Sequence, residues 1–284
     1  MSHPSSSFEW DELQFRALSE DLAADQRWST WGSVERLCRG PEPRPAWLVT
    51  SSAAIDTDLG ILKTGKEADV ALLERAVPGD PGQACLLAAK RYRSTDHRLF
   101  HRDTGYTEGR RIRNSRDTRA MARKSSHGRE VEAGLWARAE WDALKRLFAA
   151  GVPVPYPVQI DGREILMEFI TDQEAAAPRL HQTRPTASEL DSLFTQLLDA
   201  LRRMAGLGVV HGDLSPYNTL VAGASDPDPR LVIIDVPQLV DLVANPNAYE
   251  FLHRDCTNMA AWFTARGREV DAEELFGDIL GHAW

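Results

Sequence analysis

Three stretches in the first half of the chain, residues 59–63, 68–74 and 84–92, alternate in part between apolar and polar side chains. A period of two is typical of β-strands that bury one face. The stretches are separated by Thr64-Gly65 and by a Pro/Gly/Asp cluster at 78–82, and both separators favour turns. The pattern therefore predicts a three-stranded antiparallel unit.

Apolar residues at helical spacing follow this unit. Over residues 130–150 they form one continuous face, and Gly151 comes directly after it as a helix terminator. The same periodicity predicts further helices within residues 7–37, 187–207, 247–266 and 271–280. Short apolar runs around turn residues predict two strand pairs, 158–160 with 164–170 and 219–221 with 231–235. Residues 40–58, which hold three prolines, read as linker and turns.

The composition is that of an ordinary globular protein. Of the 284 residues, 43% are hydrophobic and 26% charged, which argues against wholesale disorder. The three cysteines form no CxxC pair, so neither a zinc ribbon nor a disulfide framework is indicated. No apolar run approaches the roughly 20 residues that span a bilayer, and the N-terminus lacks a secretory signal. We expect a cytoplasmic protein without a membrane partner.

The net charge of −9 hides an uneven distribution. Residues 90–129 hold 13 basic and four acidic residues, so the remainder of the chain is strongly acidic. The stretch 93–129 has few large apolar residues and predicts a mobile basic loop. Such a loop is a candidate contact for nucleic-acid phosphates or for an acidic partner. Solvated charge on a mobile segment is an equally good interpretation, and the loop has only two aromatic residues for base stacking.

The first chemical motif is the segment GILKTGKE at residues 60–67. It comes within one residue of the Walker A pattern, but Glu67 replaces the hydroxyl that would bind Mg²⁺. The strand-like residues 68–74 also follow where a Walker loop requires a helix. A loop between two strands that closes over phosphates, with Gly65 as pivot and Lys66 as charge, fits better. An ordinary turn with a solvated Lys-Glu pair is the alternative for the motif taken alone.

The second motif is VVHGDLSPYN at residues 209–218, in which Asn218 follows Asp213 by five residues. This is the spacing of a kinase catalytic loop, where the Asp orients the attacking hydroxyl and the Asn amide oxygen binds Mg²⁺. Asp235 follows at the end of an apolar strand, as the metal-binding Asp of a kinase does. Each residue alone could be a turn former, but the set on this scaffold predicts phosphoryl transfer.

Further kinase parts can be sought in order along the chain. Lys90 ends the third predicted strand after small apolar residues, like the kinase β3 lysine. Glu140, beside the apolar face of the 130–150 helix, is the predicted partner of Lys90. The segment Met167–Glu168–Phe169–Ile170 is the predicted hinge, where the backbone can pair with an adenine edge.

These residues together resemble the RIO atypical protein kinases, and within them the first subfamily. Residues 63–70 are similar to the family's STGKEA-type phosphate loop, 211–218 to its HGDLSxYN loop, and 233–238 to its IID-x-x-Q metal loop. Residues 245–258 match its C-terminal helical pattern. The resemblance covers about 59–280. Two departures are visible: Lys63 stands where the family has Ser, and the loop 93–129 is unusually rich in arginine.

The resemblance implies an α+β, two-lobed protein-kinase-like fold with a trimmed C-terminal lobe and an N-terminal helical extension. The expected divisions are 1–55 for the extension and linker, 56–168 for the N-lobe and 169–284 for the C-lobe. Only 49 residues follow Asp235, and they contain no Ala-Pro-Glu, so the usual platform for a peptide substrate is missing. The physiological phosphate acceptor stays open.

The resemblance also implies the cofactors ATP and Mg²⁺ and a role for each site residue. Because the family is linked to ribosomal-subunit maturation, it further makes ribosomal RNA a candidate partner of the loop 93–129. Asp213 would be the catalytic Asp, and Asn218 and Asp235 the Mg²⁺ ligands. Asp235 would also accept phosphate transiently in an ATPase cycle. Lys90 with Glu140 would hold the α- and β-phosphates. The remaining nucleotide-binding positions would be Thr64, Gly65, Lys66, Glu67, Ala68, Val70, Met167, Glu168 and Ile170.

Two other functions compete with an RIO-type serine/threonine kinase or ATPase. A small-molecule phosphotransferase of the aminoglycoside sort shares the outline His-Gly-Asp-Leu-x-x-x-Asn, and an acidic surface could attract cationic substrates. Its need for a large acceptor lobe counts against it. A non-catalytic module that uses bound ATP as a conformational switch ranks third, because all the catalytic positions are filled.

Overall fold

The computed structural model describes residues 22–93, 126–236 and 239–283. Its first half is built around one antiparallel sheet with the strand order β1-β2-β3-β4-β6-β5. A helix, α1 (Ser126–Ala149), lies between β4 and β5 in the chain. The strands are β1 (Gln26–Trp28), β2 (Ile55–Thr64), β3 (Ala68–Val77), β4 (Asp80–Tyr92), β5 (Pro157–Asp161) and β6 (Glu164–Glu168).

The three-stranded unit predicted from the alternation is present as β2, β3 and β4, and each strand is longer than predicted. β2 begins at Ile55, inside the predicted linker, and β4 begins at Asp80, inside the predicted turn cluster. Cross-strand pairing explains the extension, because β3 pairs with a neighbour on each side over most of its length. The helix predicted at 130–150 is also present and begins four residues earlier.

The two faces of the sheet are covered by different parts of the chain. On one face, β4 and β6 pack against α1, whose Ala137 and Trp141 are fully buried. On the other face, Leu73 and Leu87 pack against Trp31 and Leu48 from the N-terminal segment. The sheet therefore forms the middle layer of a three-layer arrangement.

The helix predicted within 7–37 is wrong for residues 22–37. These residues form the short strand β1, which pairs with β2, and two 3-10 turns at Thr30–Gly32 and Arg36–Cys38. Pairing with a strand 30 residues away overrides the local helical spacing. The rest of that predicted helix, 7–21, lies outside the described residues, as does 94–125 of the predicted basic loop.

The second half of the chain is mainly helical. The longest helix of this half, α2 (Ala187–Gly206), begins with a capping box between Thr186 and Glu189. Two further helices, α3 (Ala248–Thr264) and α4 (Ala272–Gly281), contact each other and match the predicted helical tail. Among the described residues, none of the helices has the length and apolarity needed to cross a bilayer.

Three small ladders complete this half. The predicted hairpin is present as β10 paired with β11, while the other two pairs escaped the sequence pattern because each strand has only two residues. The strands are β7 (Thr171–Asp172), β8 (Ala175–Ala176), β9 (Val209–Val210), β10 (Thr219–Ala222), β11 (Arg230–Ile233) and β12 (Val240–Asp241). One hydrophobic core runs from α1 through α2 to α3 and α4, so the two halves are packed together.

Candidate active site

A cleft of about 840 Å³ lies between the sheet and the helical half. The sheet side contributes Val70, Ala88 and Lys90, and the helical side contributes Asp213 and Asp235. Of the residues predicted from the sequence to form the site, most line this one cleft. They are Gly65, Lys66, Glu67, Ala68, Val70, Lys90, Glu140, Met167, Glu168, Ile170, Asp213 and Asp235. Thr64 and Asn218 are not among the lining residues.

Lys90 is the centre of an ionic cluster in the cleft. Its Nζ lies 2.7 Å from Glu140 Oε1 and 2.8 Å from Asp235 Oδ1. The second oxygen of Glu140 accepts a hydrogen bond from the Tyr92 hydroxyl. Glu140 is only 2% exposed, so α1 presents a carboxylate that has both oxygens paired in an almost dry environment. The Lys–Glu pair predicted from the sequence is thus formed.

The charges of the cluster stabilise one another. Burial alone would lower the pKa of Lys90, but the carboxylates of Glu140 and Asp235 raise it above its ordinary value. Burial alone would raise the pKa of Asp235, but the ammonium of Lys90 holds it below its usual range. Both groups are therefore charged at neutral pH. Asp235 has a φ of 64°, a left-handed conformation that is strained for a residue with a Cβ and that turns the backbone at the end of β11.

Asp213 and Asn218 lie on the loop between β9 and β10. The Asn218 side-chain amide donates to the Asp213 carbonyl at 2.9 Å and approaches the Asp213 carboxylate at 3.4 Å. The backbone of Asn218 also accepts the Ile234 N–H at 3.0 Å, next to Asp235. The spacing of five residues therefore closes a compact loop. The two predicted Mg²⁺ ligands, Asn218 and Asp235, lie on segments that are hydrogen-bonded to each other.

His211 ties the beginning of this loop to the strand end. Its Nε2 lies 3.2 Å from the Ile234 carbonyl, and its Nδ1 lies 3.3 Å from the Asp213 N–H. Burial lowers the pKa of His211, so the ring is neutral at pH 7. A neutral ring fits both contacts, since Nε2–H donates to the carbonyl and Nδ1 accepts from the amide.

Asp255, a residue of α3, fixes the β9–β10 loop by hydrogen bonds to its backbone. It is fully buried, and its two oxygens accept the backbone N–H groups of Gly212 and Leu214, both at 2.8 Å. Arg254 donates to the Gly212 carbonyl, so two consecutive helix residues hydrogen-bond to the backbone of Gly212. This role of Asp255 was not predicted from the sequence. It could have been inferred from the position of the carboxylate, because Asp255 lies on the face of the helix that the apolar period predicts to be buried.

The loop between β2 and β3 forms a tight turn. The Gly65 N–H donates to the Ala68 carbonyl at 2.9 Å, and a Cβ at Gly65 would lie 2.9 Å from that same oxygen. Because β3 follows the turn directly, the segment is a strand–turn–strand loop, which excludes the Walker A interpretation. Thr64 hydrogen-bonds with Asp69 and so stabilises the turn from outside the cleft.

The other end of the cleft is apolar. Val70 and Ala88 form its roof, and Leu220 and Ile234 form its floor. At the back, the Glu168 N–H donates to the Tyr156 carbonyl, and the Ile170 carbonyl accepts from Ala177.

The oxygen donors present fit a hard divalent cation such as Mg²⁺. Asp213 and Asp235 supply carboxylates, and the Asn218 amide nitrogen is engaged with Asp213, which leaves the amide oxygen as an acceptor. Among the residues that the structure describes, no cluster of three His, Cys, Asp or Glu side chains forms a ready-made metal site. A cation here would therefore depend on Asn218 and on phosphate oxygens as well as on the carboxylates.

Comparisons with known proteins agree with this geometry. The sequence profile of the RIO domain matches residues 87–275. The RIO-type serine/threonine-protein kinase Rio1 of Haloferax volcanii is 35% identical over 228 residues, which cover 80% of this chain and 70% of the relative. The serine/threonine-protein kinase RIO3 of Caenorhabditis elegans is 30% identical over 76% of this chain, but the chain spans only 38% of that relative.

Solved structures of the Rio2 kinase from Chaetomium thermophilum share the fold. One, an ADP/Mg²⁺-phosphoaspartate complex, has a TM-score of 0.54 at 23% identity and covers 78% of this chain and 62% of that chain. A second has a TM-score of 0.52 at 21% identity and covers 78% and 63%. The predicted two-lobed, kinase-like α+β fold is confirmed.

Proposed function

This chain belongs to the RIO family of atypical kinases, and from that premise we propose that it binds ATP with Mg²⁺ in the cleft and transfers the γ-phosphate. The acceptor is either a protein Ser/Thr hydroxyl or, transiently, the carboxylate of Asp235. The observation that carries the proposal is the Lys90 cluster, in which Glu140 and Asp235 hold one ammonium at 2.7 and 2.8 Å. We also propose that the N-lobe spans 56–168 and the C-lobe 169–284, with the cleft between them.

The nucleotide is held by two chemically different regions of the cleft. The apolar roof and floor take the adenine ring between Val70 and Leu220, while the Glu168 carbonyl and the Ile170 N–H pair with its edge. Lys66, at the β2–β3 turn, approaches the triphosphate. Met167 closes the back of the adenine region. With the adenine ring held in this way, we propose that the γ-phosphate lies at the end of the cleft that holds Asp213 and Asp235.

Lys90 neutralises phosphate oxygens, and its pairing with Glu140 fixes where that charge lies. Mg²⁺, held by Asn218 and Asp235, would supply further neutralisation of the phosphates. In transfer to a Ser/Thr hydroxyl, that oxygen bonds to the γ-phosphorus while the bond to the β,γ-bridging oxygen breaks. The hydroxyl proton passes to the Asp213 carboxylate, and ADP leaves with the bonding electron pair.

In the ATPase branch, a carboxylate oxygen of Asp235 takes the place of the hydroxyl. It bonds to the γ-phosphorus as ADP leaves, and water then hydrolyses the acyl phosphate to phosphate and the original carboxylate. The strained φ of 64° at Asp235 supports this role, because strain at a site is retained where the surrounding structure fixes a side chain for function.

The test is incubation with ATP labelled at the γ-phosphate, followed by acid quenching and mass spectrometry. We expect label on Asp235 that hydroxylamine removes, together with labelled free phosphate or stable phospho-Ser/Thr. ATP left intact after hours would overturn catalysis and favour the nucleotide-switched module. Both relatives named above are RIO kinases, which does not favour the small-molecule phosphotransferase alternative.

The proposal also covers the cellular location of the protein and the partner of its basic loop. We propose a cytoplasmic protein, because Cys38, Cys85 and Cys256 are all free thiols. An RNA phosphate backbone or an acidic protein remains the proposed partner of the basic loop 93–129, most of which lies outside the described residues. A titration at rising salt tests the RNA interpretation, since binding through phosphates must weaken as salt increases.

A further inference from the structure

The strand register places a second lysine beside Lys90 on the cleft face of the sheet. Lys63 on β2 pairs with Val70 on β3, and Val70 pairs with Lys90 on β4, so the three residues form one cross-strand row. Residues in such a row share a face of the sheet. With adjacent strands about 4.8 Å apart, Lys63 lies roughly 10 Å from Lys90 along the row.

An irregularity in β2 is what directs Lys63 to this face. The register shifts between Ile61 and Lys63, so that Leu62 has no separate partner on β3. A bulge of this kind re-aims the side chains that follow it. Both Leu62 and Lys63 consequently line the cleft, although strict alternation would place them on opposite faces.

Arg179 lies on the opposite wall of the cleft. It forms an antiparallel bridge with Leu220, a floor residue, and its guanidinium donates to the Tyr217 carbonyl at 2.6 Å. Tyr217 directly precedes Asn218, so the Arg179 charge is anchored next to a predicted metal ligand. The His181 ring stacks on Tyr217 at 4.1 Å and stiffens the anchor.

Lys63 and Arg179 differ from Lys90 in their ionic contacts. Among the residues that the structure describes, no carboxylate forms an ion pair with Lys63 or Arg179, whereas Lys90 has two. Burial lowers the pKa of Lys63, repulsion from Arg179 and Lys90 lowers it further, and Asp235 opposes the shift. Lys63, Lys90, Arg179 and Asp235 all line the same cleft. Like charges facing one another across a cleft create a site for an anion.

We propose that Lys63 and Arg179 form a two-sided clamp that holds the polyphosphate of the bound nucleotide across the mouth of the cleft. This rests on the nucleotide binding proposed above and adds two residues to it. Polyphosphate is favoured over an acidic acceptor because Lys63 lies in one row with Lys90 and lines the same cleft as Asp235. Lys90 and Asp235 are both at the proposed phosphate end of the cleft. The clamp makes ADP harder to release, because the charges that hold ATP remain on the product.

The test compares ligands that differ only in phosphate number. Binding of adenosine, AMP, ADP and a non-hydrolysable ATP analogue, each with Mg²⁺, is measured by calorimetry for the wild type, Lys63→Ser and Arg179→Gln. We expect each variant to lose about 5- to 20-fold in affinity for ADP and the ATP analogue, a typical size for removing one charge-assisted contact. Adenosine binding should stay within about twofold, and the salt dependence of ADP binding should weaken.

Arg163→Gln is the matched control, because it removes one exposed positive charge at the β5–β6 turn, away from the cleft. It should leave all four affinities unchanged. ADP affinity that is unaltered in both clamp variants would overturn the clamp, as would an equal loss for adenosine. A variant that raises KM for an acidic protein acceptor without affecting ADP would also overturn it and assign the pair to the acceptor. If the wild type binds no nucleotide at all, the proposed function itself fails.

Discussion

The carboxylate of Asp255 accepts the backbone N–H of Gly212 at 2.8 Å, although 43 residues separate the two in the chain. The other carboxylate oxygen accepts the N–H of Leu214, so a single buried side chain binds the backbone N–H groups of the residues before and after Asp213. Gly212 needs a positive φ of 81°, which a glycine adopts without strain. Asp255 is therefore a positioning residue, since it sets the backbone that carries Asp213 and does not line the cleft.

The first prediction concerns the pH dependence of stability. Burial raises the pKa of Asp255 to about 7, against the two backbone N–H donors and Arg254, which lower it. A carboxyl with a raised pKa binds more protons in the folded than in the unfolded state, so its contribution to stability falls as pH rises from about 4 to 7. We expect a slope of at most about 1.4 kcal/mol per pH unit from this group.

Urea denaturation of the wild type and Asp255→Asn at several pH values measures this slope. The difference in unfolding free energy between the two proteins should change over pH 4 to 7 and become constant above it. Asp228→Asn, which removes an exposed carboxyl in the β10–β11 hairpin, is the matched control for the loss of one negative charge. A flat difference for Asp255→Asn would show that Asp255 does not titrate in this range.

The second prediction separates the two carboxylates of the cleft. Asp213→Asn keeps the shape of the loop but removes the proton acceptor, so transfer to Ser/Thr should fall by at least about 100-fold. Mg²⁺-ADP affinity should fall less than in Asp235→Asn, because Asn218 and Asp235 are the proposed Mg²⁺ ligands and Asp213 is the proposed proton acceptor. Asp235→Asn removes one of the two ionic partners of Lys90 and also the carboxylate that accepts the phosphoryl group. Hydroxylamine-labile label should therefore disappear, and Mg²⁺-ADP affinity should fall.

Rapid-quench assays and calorimetry on the same two preparations check these outcomes. The assignment is contradicted if Asp213→Asn transfers phosphate at the wild-type rate. It is equally contradicted if Asp235→Asn still forms an acid-stable, hydroxylamine-labile phosphoprotein.

Local patterns carried the prediction of the sheet and of the charged motifs. β3 and α1 could be predicted because period and turn residues lie within a few positions of each other. Lys90 and Asp213 could be predicted because each lies at the end of an apolar strand, at a characteristic distance along the chain from the other residues of the motif. Segment 22–54 could not, since its few prolines and short runs gain their structure only by packing on the sheet. Arg179 escaped for a similar reason, because its partner Tyr217 lies 38 residues away.

The third prediction tests the partner of Lys90. Glu140→Gln keeps the side-chain volume but removes the negative charge, so Lys90 keeps only Asp235 as an ionic partner. We expect turnover to fall about 10- to 100-fold, because the ammonium is no longer fixed against the phosphates. Steady-state assays over a range of ATP concentrations measure this as a loss in kcat/KM.

Tyr92→Phe is the companion variant. It leaves the Lys90–Glu140 contact in place but removes the hydroxyl that donates to the second Glu140 oxygen, a buried acceptor. Stability should fall by about 1–3 kcal/mol, while turnover changes less than in Glu140→Gln. If the two variants lose the same turnover, the charge of Glu140 is not what positions Lys90.

The last prediction concerns the N-terminal segment, which the sequence indicated to be an extension and linker. Trp31 is only 5% exposed and packs with Leu73 and Leu87 on the outer face of the sheet, while Arg39 and Arg44 lie over its ring at 5.4 and 5.1 Å. Trp31→Ala should therefore lower the unfolding free energy by about 3–5 kcal/mol, the usual cost of deleting a buried aromatic side chain.

Leu37→Ala is the matched control from the same segment, because Leu37 is 72% exposed and its backbone carbonyl, which accepts from Trp141, is kept. Chemical denaturation should place Leu37→Ala within about 0.5 kcal/mol of the wild type. The outer face of the sheet also supports β4, which carries Lys90. At temperatures close to the melting temperature of the variant, Trp31→Ala should therefore weaken ADP binding. Equal stability of the two variants would mean that the segment lies on the sheet without stabilising it.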